Sequence, residues 1–343
     1  MAMSSPLAPV GALSSRQVNL LLEVAIVSAF VTGLTSWAVG TGWGRWWTFA
    51  HGISGLSLLV LSRQKVRRSV RPDLRRRRAS RWLSVAFGVL VLAVVGLGLL
   101  HSTGLWTGVG YWTSLWTHFL FAFAVIPLFV AHVVSRPARP RVVDLDRRLL
   151  LGGGAALGAA TALALANEGI VRAAGLAGSD RRFTGSHEIG SFDPDRMPTV
   201  QWIDDRAPTI PDEGWPLSIA GAPVAVAALA ERTRPVIARL DCTGGWWSEQ
   251  RWDVVPISEL LDTSAARSFK VTSATGYSRL FPMSDAAVTY LATGYDGRPL
   301  RRGHGAPVRL VADNRRGPWW VKWVESVEPD DRPWWLQLPF PAT

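Results

Sequence analysis

The chain has 343 residues, and its 48% hydrophobic content and mean hydropathy of +0.16 exclude an ordinary soluble enzyme, whereas 22 prolines and 18 tryptophans exclude a simple membrane bundle. Its net charge of +11 comes from two short segments, since 63–81 carries +9 and 135–148 carries +3, which leaves the rest of the chain close to neutral. Nucleic acid is therefore excluded as a partner, because its recognition needs a basic face on a soluble domain.

Apolar segments close to membrane length come first in the chain, and none follows residue 170. They lie at 18–40, 46–62, 82–100, 112–134 and 149–166. The second is short and the fifth is rich in Gly and Ala, so these two are the least typical spans. We predict an N-terminal all-α transmembrane bundle of about five helices, with four helices in 1–148 and a fifth over 149–170.

The two basic segments predict the orientation of these helices, because Lys and Arg of short loops stay in the cytoplasm. The N-terminus is then inside, and the fifth helix delivers the remaining chain to the far side. Tryptophans also cluster around the predicted outer loops 40–45 and 102–111, as in an interfacial belt. We expect a multi-pass protein of a bacterial cytoplasmic membrane, in contact with lipid, with its C-terminal domain on the extracytoplasmic side.

The start of the fifth segment has two interpretations. Arg147 and Arg148, followed by three leucines and Gly152-Gly153-Gly154, resemble an internal twin-arginine export signal, which carries folded domains across a membrane. The same two arginines could equally anchor an ordinary helix at the cytoplasmic surface.

Four of the six histidines lie in the membrane half, namely His51, His101, His118 and His132. His51 and His118 follow tryptophan belts on two helices that run in the same direction, so they lie at similar depth. Two facing imidazoles can ligate one b-type haem, which predicts a cytochrome b-like domain over 1–148. His132 lies about 21 Å deeper on its helix, without a partner at that depth. Alternatively, these histidines bond to helix carbonyls or lie at the interface.

The soluble part is predicted to be an α+β domain over 201–343, after a linker over 171–200 in which Gly, Ser, Asp and Pro dominate. Short β-like runs alternate with Pro and Gly turns. We expect strands at Leu217–Ala220, Val236–Leu240, Phe269–Ser273, Val308–Val311 and Val321–Val327, and helices at Ile257–Leu261 and Ser284–Thr293.

Cys242 is the only cysteine of the chain, and it follows the predicted strand Val236–Leu240 at the start of a Thr-Gly-Gly turn. On the oxidising side of a membrane a lone thiol has no disulfide partner. A thiolate is a soft ligand that suits a redox metal. A buried and inert thiol is the alternative.

Four motifs favour the metal-binding interpretation of Cys242 over an inert thiol. They are Cys242-Thr-Gly-Gly-Trp-Trp, Trp252-Asp-Val-Val-Pro-Ile-Ser-Glu-Leu-Leu, Gly303-His-Gly-Ala-Pro-Val-Arg-Leu-Val and Trp320-Val-Lys-Trp-Val. In this order and spacing, over about 195–335, they resemble the molybdopterin-binding domain of the sulfite oxidase family. Within that family the similarity is greatest to catalytic subunits of periplasmic methionine sulfoxide reductases. The resemblance implies the sulfite oxidase molybdopterin-binding fold and a molybdenum-molybdopterin cofactor.

The resemblance also implies roles for individual residues. Cys242 would be the sulfur ligand of molybdenum, and His304 and Arg309 would contact the pterin. Lys322, one of three lysines in the chain, would contact the pterin phosphate. Tyr277 falls where the family places pocket residues.

Two departures from the family pattern stand out. The reductase has Asn where this chain has His304, which could alter proton chemistry in the pocket. The chain also ends soon after the cofactor domain, so we expect no dimer of the sulfite oxidase type. Arg279, Arg315 and Arg316 are expected to attract an anionic or polar substrate, and Cys242, Arg279 and His304 are the expected catalytic residues.

The sequence thus predicts a membrane-bound molybdenum oxidoreductase that acts on a small substrate by oxo transfer of the sulfite or sulfoxide type. A b-type haem ligated by His51 and His118 would exchange its electrons with the quinone pool or another redox partner. The alternative is a membrane-anchored binding or electron-transfer module that keeps the fold without molybdenum catalysis. Cys242 separates the two, since a binding module needs no thiol at this position.

Overall fold

The structure is a computed structural model that describes residues 13–67, 81–109, 112–135, 141–201, 205–211, 214–264 and 266–338. Contacts within the chain define two compact units. One comprises Met1–Ser36 and Gly42–Gly185, and the other comprises Trp37–Thr41 and Ser186–Thr343. Much of the two basic segments that predict the orientation of the helices lies outside the described residues.

Long helices dominate the described part of the first unit. They are α1 (Ser15–Ala38), α2 (Arg45–Lys65), α3 (Arg81–Thr103), α4 (Ser114–Ser135) and α5 (Arg147–Ala173). A short hairpin of β1 (Gly108–Val109) and β2 (Trp112–Thr113) precedes α4.

Within the described residues, four helices are long and apolar enough to cross a membrane, namely Ser15–Ala38, Trp82–Thr103, Ser114–Ser135 and Arg147–Ala173. Helix α2 has the length of a span but is not among them. Its serines, among them Ser54 and Ser57, and the basic residues of its last turn lower its hydropathy. The span expected at 46–62 is therefore a helix without the apolar composition of the others.

The helices pack through small apolar clusters. Ile26, Leu58, Val91 and Val125 come from α1, α2, α3 and α4 and meet in one buried cluster. At the start of α5, Asp146 caps the helix by accepting a hydrogen bond from the Leu149 amide at 3.0 Å. The two arginines that resemble an export signal therefore form the first turn of α5.

The described residues of the second unit form strands and one short α-helix. The strands are β3 (His187–Glu188), β4 (Ser218–Ile219), β5 (Ala222–Pro223), β6 (Arg234–Cys242), β7 (Trp246–Pro256), β8 (Ser268–Ser273), β9 (Ser278–Pro282), β10 (Thr289–Tyr295), β11 (Arg298–Pro299), β12 (Arg309–Ala312) and β13 (Val324–Asp330). A one-turn helix α6 (Val226–Ala230) precedes β6. These strands form two sheets: the first has the order β11-β10-β7-β3, with β6 also paired to β7 and β12 to β10, and the second has the order β5-β4-β13-β8-β9.

One hydrophobic core joins the two sheets. Trp252 and Val254 of β7, Leu291 of β10, Val271 of β8 and Val327 of β13 all belong to it and are fully buried. Alternate residues of β7 face inward, as expected for a strand with one face on a core. The predicted order of a helical part followed by an α+β domain is confirmed.

Two local predictions need correction. The helix expected at Ser284–Thr293 is wrong, because Thr289–Tyr295 forms β10, which pairs with both β7 and β12. Its β-branched and aromatic residues fit a central strand better than a helix. The segment 171–200, expected as a linker, contains the end of α5 and the strand β3, whose two residues pair in parallel with Trp246 and Trp247.

Candidate functional site

Cys242 is the last residue of β6, and it is 8% exposed. The chain turns back at once into β7, with Gly245 at a φ of 90° that favours glycine. In this turn the Gly244 amide donates a hydrogen bond to the Cys242 Sγ at 3.3 Å. Burial raises the pKa of the thiol, while the Gly244 amide and the charges of Arg316 and Lys322 act to lower it.

Arg316 forms a buried ion pair with Asp241, the residue before Cys242. Its Nη1 donates to the Asp241 carboxylate at 2.5 Å, and its Nη2 donates to the Cys242 carbonyl at 3.3 Å. Ser186 Oγ donates to the same carboxylate at 2.7 Å. The structure therefore places Arg316 among internal partners rather than on a surface that could attract substrate.

Arg309 and Lys322 are cations of a different kind, the first buried and the second half-buried. The Arg309 guanidinium lies over the rings of Trp252 and Trp320, at 4.9 and 5.4 Å from their centroids, and donates to the His304 carbonyl at 2.8 Å. Burial lowers the pKa of Arg309 to about 9. None of the ion pairs among the described residues includes Arg309.

The Lys322 ammonium donates to two carbonyls, those of Gly303 at 2.6 Å and Val200 at 2.8 Å, and likewise has no ion-pair partner among the described residues. Burial, followed by the charge of Arg309, lowers the pKa of Lys322 to about 7, while Cys242 and Asp205 have smaller opposing effects. Gly305 brings the two cations together, because a Cβ on it would lie 2.9 Å from the Arg309 Cβ and 3.2 Å from the Lys322 Cβ.

The ring of His304 is fully engaged by protein groups. Its Nδ1 lies 3.2 Å from the Tyr295 hydroxyl and its Nε2 lies 3.2 Å from the Met197 carbonyl. Burial lowers the pKa of His304 to about 4, with a further effect from Arg309, so the ring is neutral at pH 7. Because a carbonyl only accepts, Nε2 carries the proton and Nδ1 accepts from the hydroxyl. The structure thus links His304 to Arg309 through the His304 carbonyl rather than through its ring.

Tyr277 and Arg279 meet at the carbonyl of Pro318. The Tyr277 hydroxyl donates to this carbonyl, and Arg279 Nε donates to it at 3.4 Å. The Arg279 guanidinium also lies 5.0 Å from the Trp319 centroid and donates to the Leu338 carbonyl at 2.7 Å. Burial raises the pKa of Tyr277, so its hydroxyl stays protonated.

These contacts place the site around one turn, Gly317–Trp319. A Cβ on Gly317 would lie 3.3 Å from the Cys242 Cα, and the next residue, Pro318, holds Tyr277 and Arg279. Arg315, by contrast, forms an ion pair with Asp285 at 2.6 Å. The expected role of Arg315 in attracting substrate therefore gains no support.

The two histidines predicted as haem ligands face each other within the first unit. The ring centroids of His51 and His118 are 5.9 Å apart, and the rings are perpendicular. The His51 Nδ1 lies 2.8 Å from the Ala29 carbonyl and the His118 Nδ1 lies 3.0 Å from the Val94 carbonyl. In each ring Nε2 is therefore the nitrogen left for another ligand.

The other two histidines of this unit have different surroundings. His101 Nδ1 lies 2.7 Å from the Ser114 hydroxyl, and the His132 ring stacks on Phe87 with centroids 5.2 Å apart.

Sequence reasoning missed several residues that build the site. Asp241 and Ser186 hold Arg316, but Ser186 belongs to the segment interpreted as a linker, so no motif indicated it. Trp252 and Trp320 lie within the quoted motifs, and their spacing gives no sign that they enclose Arg309.

Comparison with known proteins finds a family match within the second unit. Residues 207–335 match the sequence model of a family described as the oxidoreductase molybdopterin-binding domain, which confirms the resemblance deduced from the motifs and supports an oxidoreductase. A solved structure, the sulfane dehydrogenase SoxCD from Paracoccus pantotrophus, aligns with 24% identity and a TM-score of 0.33 over 37% of this chain and 40% of that chain. The chain thus spans well under two thirds of that protein. No curated protein is significantly similar in sequence to this chain.

The lowered pKa of Lys322 predicts a pH dependence of stability in the cofactor-free full chain. The folded state releases the Lys322 proton near pH 7, whereas the unfolded chain keeps it until about its usual pKa of 10.5. Between these values the unfolded state binds more protons, so the free energy of unfolding rises with pH. From pH 7 to 9 this rise should be about 1 to 2 kcal/mol smaller in Lys322→Met, allowing for partial solvent exposure.

Denaturant unfolding of the cofactor-free protein at several pH values measures this difference. Lys270→Met is the matched control, since Lys270 is the other lysine of the second unit, and it should keep the wild-type pH dependence. An unchanged pH dependence in Lys322→Met would contradict the lowered pKa of this cation.

Proposed function

We propose that the chain is a membrane-bound molybdenum-cofactor oxidoreductase that acts on a small substrate outside the cytoplasmic membrane, by oxo transfer of the sulfite or sulfoxide type. One observation carries the proposal: a buried thiol lies within electrostatic reach of a buried guanidinium, Arg309, and a half-buried ammonium, Lys322, and neither cation forms an ion pair with a carboxylate of the described residues. All three residues, Cys242, Arg309 and Lys322, lie in the segment that matches the molybdopterin-binding family.

The residues present fit a molybdenum-molybdopterin cofactor. Its anionic tail would supply the negative charge that Arg309 and Lys322 lack, and the Cys242 thiolate would supply a soft ligand to the metal. When bound, the cofactor provides a metal that exchanges an oxygen atom and electrons with a substrate. The Gly244 amide, which donates to the Cys242 sulfur, stabilises its negative charge.

The neighbouring residues orient the cofactor and border the substrate. His304 holds Arg309 through its carbonyl, and its neutral ring fixes the chain between Tyr295 and Met197. Tyr277 and Arg279 meet at Pro318, close to Cys242, and we assign them to the wall of the substrate pocket. A buried guanidinium at this wall favours a substrate with a polar or anionic oxygen.

A b-type haem in the first unit completes the proposed redox chain. The perpendicular rings of His51 and His118, 5.9 Å apart, have close to the spacing of two imidazoles that share one metal atom. Two glycines allow the rings to pack closely against the neighbouring helices. A Cβ on Gly33 would lie 2.9 Å from the His51 ring, and one on Gly98 would lie 3.3 Å from the His118 ring. We propose that this haem exchanges electrons with the quinone pool.

Replacement of the thiol tests the molybdenum site. Cys242→Ser and Cys242→Ala should lose most of the molybdenum, because the metal loses its soft protein ligand, while the circular dichroism spectrum stays that of the folded protein. Metal analysis of the detergent-purified full chain measures the molybdenum content. Thr243→Ser, in the same turn, is the control that should keep it. Full occupancy in Cys242→Ala would remove the thiol from the site.

Replacement of single histidines tests the haem. The reduced-minus-oxidised spectrum should lose its haem bands in His51→Ala and in His118→Ala, since each removes one axial ligand. His132→Ala, on the same helix as His118, and His101→Ala are the controls and should keep the bands. A wild-type protein without haem would mean that electrons reach the second unit from a separate partner.

Reporter fusions test the orientation in the membrane. A reporter after residue 343 should be active only on the outer side, and one within 63–81 only in the cytoplasm. The reverse result would refute the proposed topology. If the domain is exported after folding, Arg147→Lys combined with Arg148→Lys should retain it inside, whereas normal export would leave the two arginines as a helix anchor.

A further inference from the structure

Arg316 contacts the Cys242 loop through its backbone as well as its side chain. Its backbone forms an isolated parallel bridge with Asp241, the residue before Cys242. The Arg316 guanidinium donates to the Cys242 carbonyl, and the following residue, Gly317, lies against the Cys242 Cα. A shift of Arg316 would therefore move Cys242.

The Arg316–Asp241 pair is almost completely shielded from solvent, with side chains 1% and 4% exposed. Charges in such an environment are weakly screened by water and salt, so each acts on its neighbours over several ångströms. Ser186 donates to Asp241 and to the Cys242 carbonyl, which fixes the carboxylate in place. The Nε of Arg316 is buried and has no hydrogen-bond partner among the described residues.

This arrangement differs from a pair that only stabilises the fold. A structural ion pair needs no contact with the residue that would hold a metal, whereas both partners of this pair adjoin Cys242. Groups that contact a metal ligand set its orientation, and their charge changes the reduction potential of the metal.

We propose that Arg316 is a positioning residue of the cofactor site, which fixes the Cys242 loop and keeps a buried positive charge beside the sulfur, so that the reduction potential of the bound metal is raised. The inference rests on the proposed function. A positive charge disfavours the oxidised metal, which is the more positive state, and Asp241 acts in the opposite direction.

The test is a redox titration of the purified full-length holoprotein, followed by the electron paramagnetic resonance signal of molybdenum. Arg316→Gln should lower the midpoint potential, and Asp241→Asn should raise it. The double variant should lie between the two, and Arg316→Lys, which keeps the charge, should lie closer to wild type than Arg316→Gln. Arg239→Gln is the matched control and should keep the wild-type potential. Arg239 lies on the same strand as Asp241, and its ion pair with Glu249 is more exposed.

Opposite shifts in the two single variants distinguish a charge effect from general damage to the fold, which has no reason to change sign. If Arg316→Gln does not fold, the double variant must still titrate below Asp241→Asn. Shifts in the same direction, or none in Arg316→Gln, would overturn the inference and leave the proposed function intact. A wild-type protein without molybdenum would refute the proposed function and the inference with it.

Discussion

Two positive charges, buried Arg309 and half-buried Lys322, impose the strongest constraint on the second unit. Arg309 lies over two tryptophan rings and Lys322 bonds to two carbonyls, and neither has an ion-pair partner among the described residues. Burial of a charge is unfavourable unless an opposite charge approaches it. The Arg309 guanidinium lies against Trp252 and Trp320, which belong to the core that spans the two sheets. An anionic ligand between them would remove this penalty, which makes cofactor binding and stability interdependent.

Two glycines determine how closely the chain packs around these cations and Cys242. Gly305 allows Arg309 and Lys322 to approach each other, and Gly317 allows the turn at Gly317–Trp319 to lie against Cys242. A side chain at either glycine would meet neighbouring atoms at 3.3 Å or less. Close backbone packing at Gly305 and Gly317 therefore shapes one wall of the site, and the buried guanidiniums make the site positively charged.

The sequence singled out candidate residues for the chemistry more readily than the residues that position them. Cys242 stands out as the single cysteine of the chain, whereas Lys322 was chosen because its motif resembles the molybdopterin-binding family. The partners of Arg316 could not, since Ser186 comes from a polar segment whose role depends on the pairing of β3 with β7. Likewise, β10 was predicted as a helix because local sequence does not reveal its pairing with β7 and β12. In the helical unit, depth along the helices was enough to predict that His51 and His118 face each other.

The central claim is that Cys242 binds molybdenum while Arg309 and Lys322 hold the anionic part of the cofactor. Anomalous X-ray diffraction at the molybdenum edge, from crystals of the detergent-purified holoprotein, tests it most directly. The account predicts one molybdenum peak bonded to the Cys242 sulfur, with density for a phosphate between the Arg309 and Lys322 side chains. A peak remote from Cys242, or a phosphate held by other residues, would contradict it.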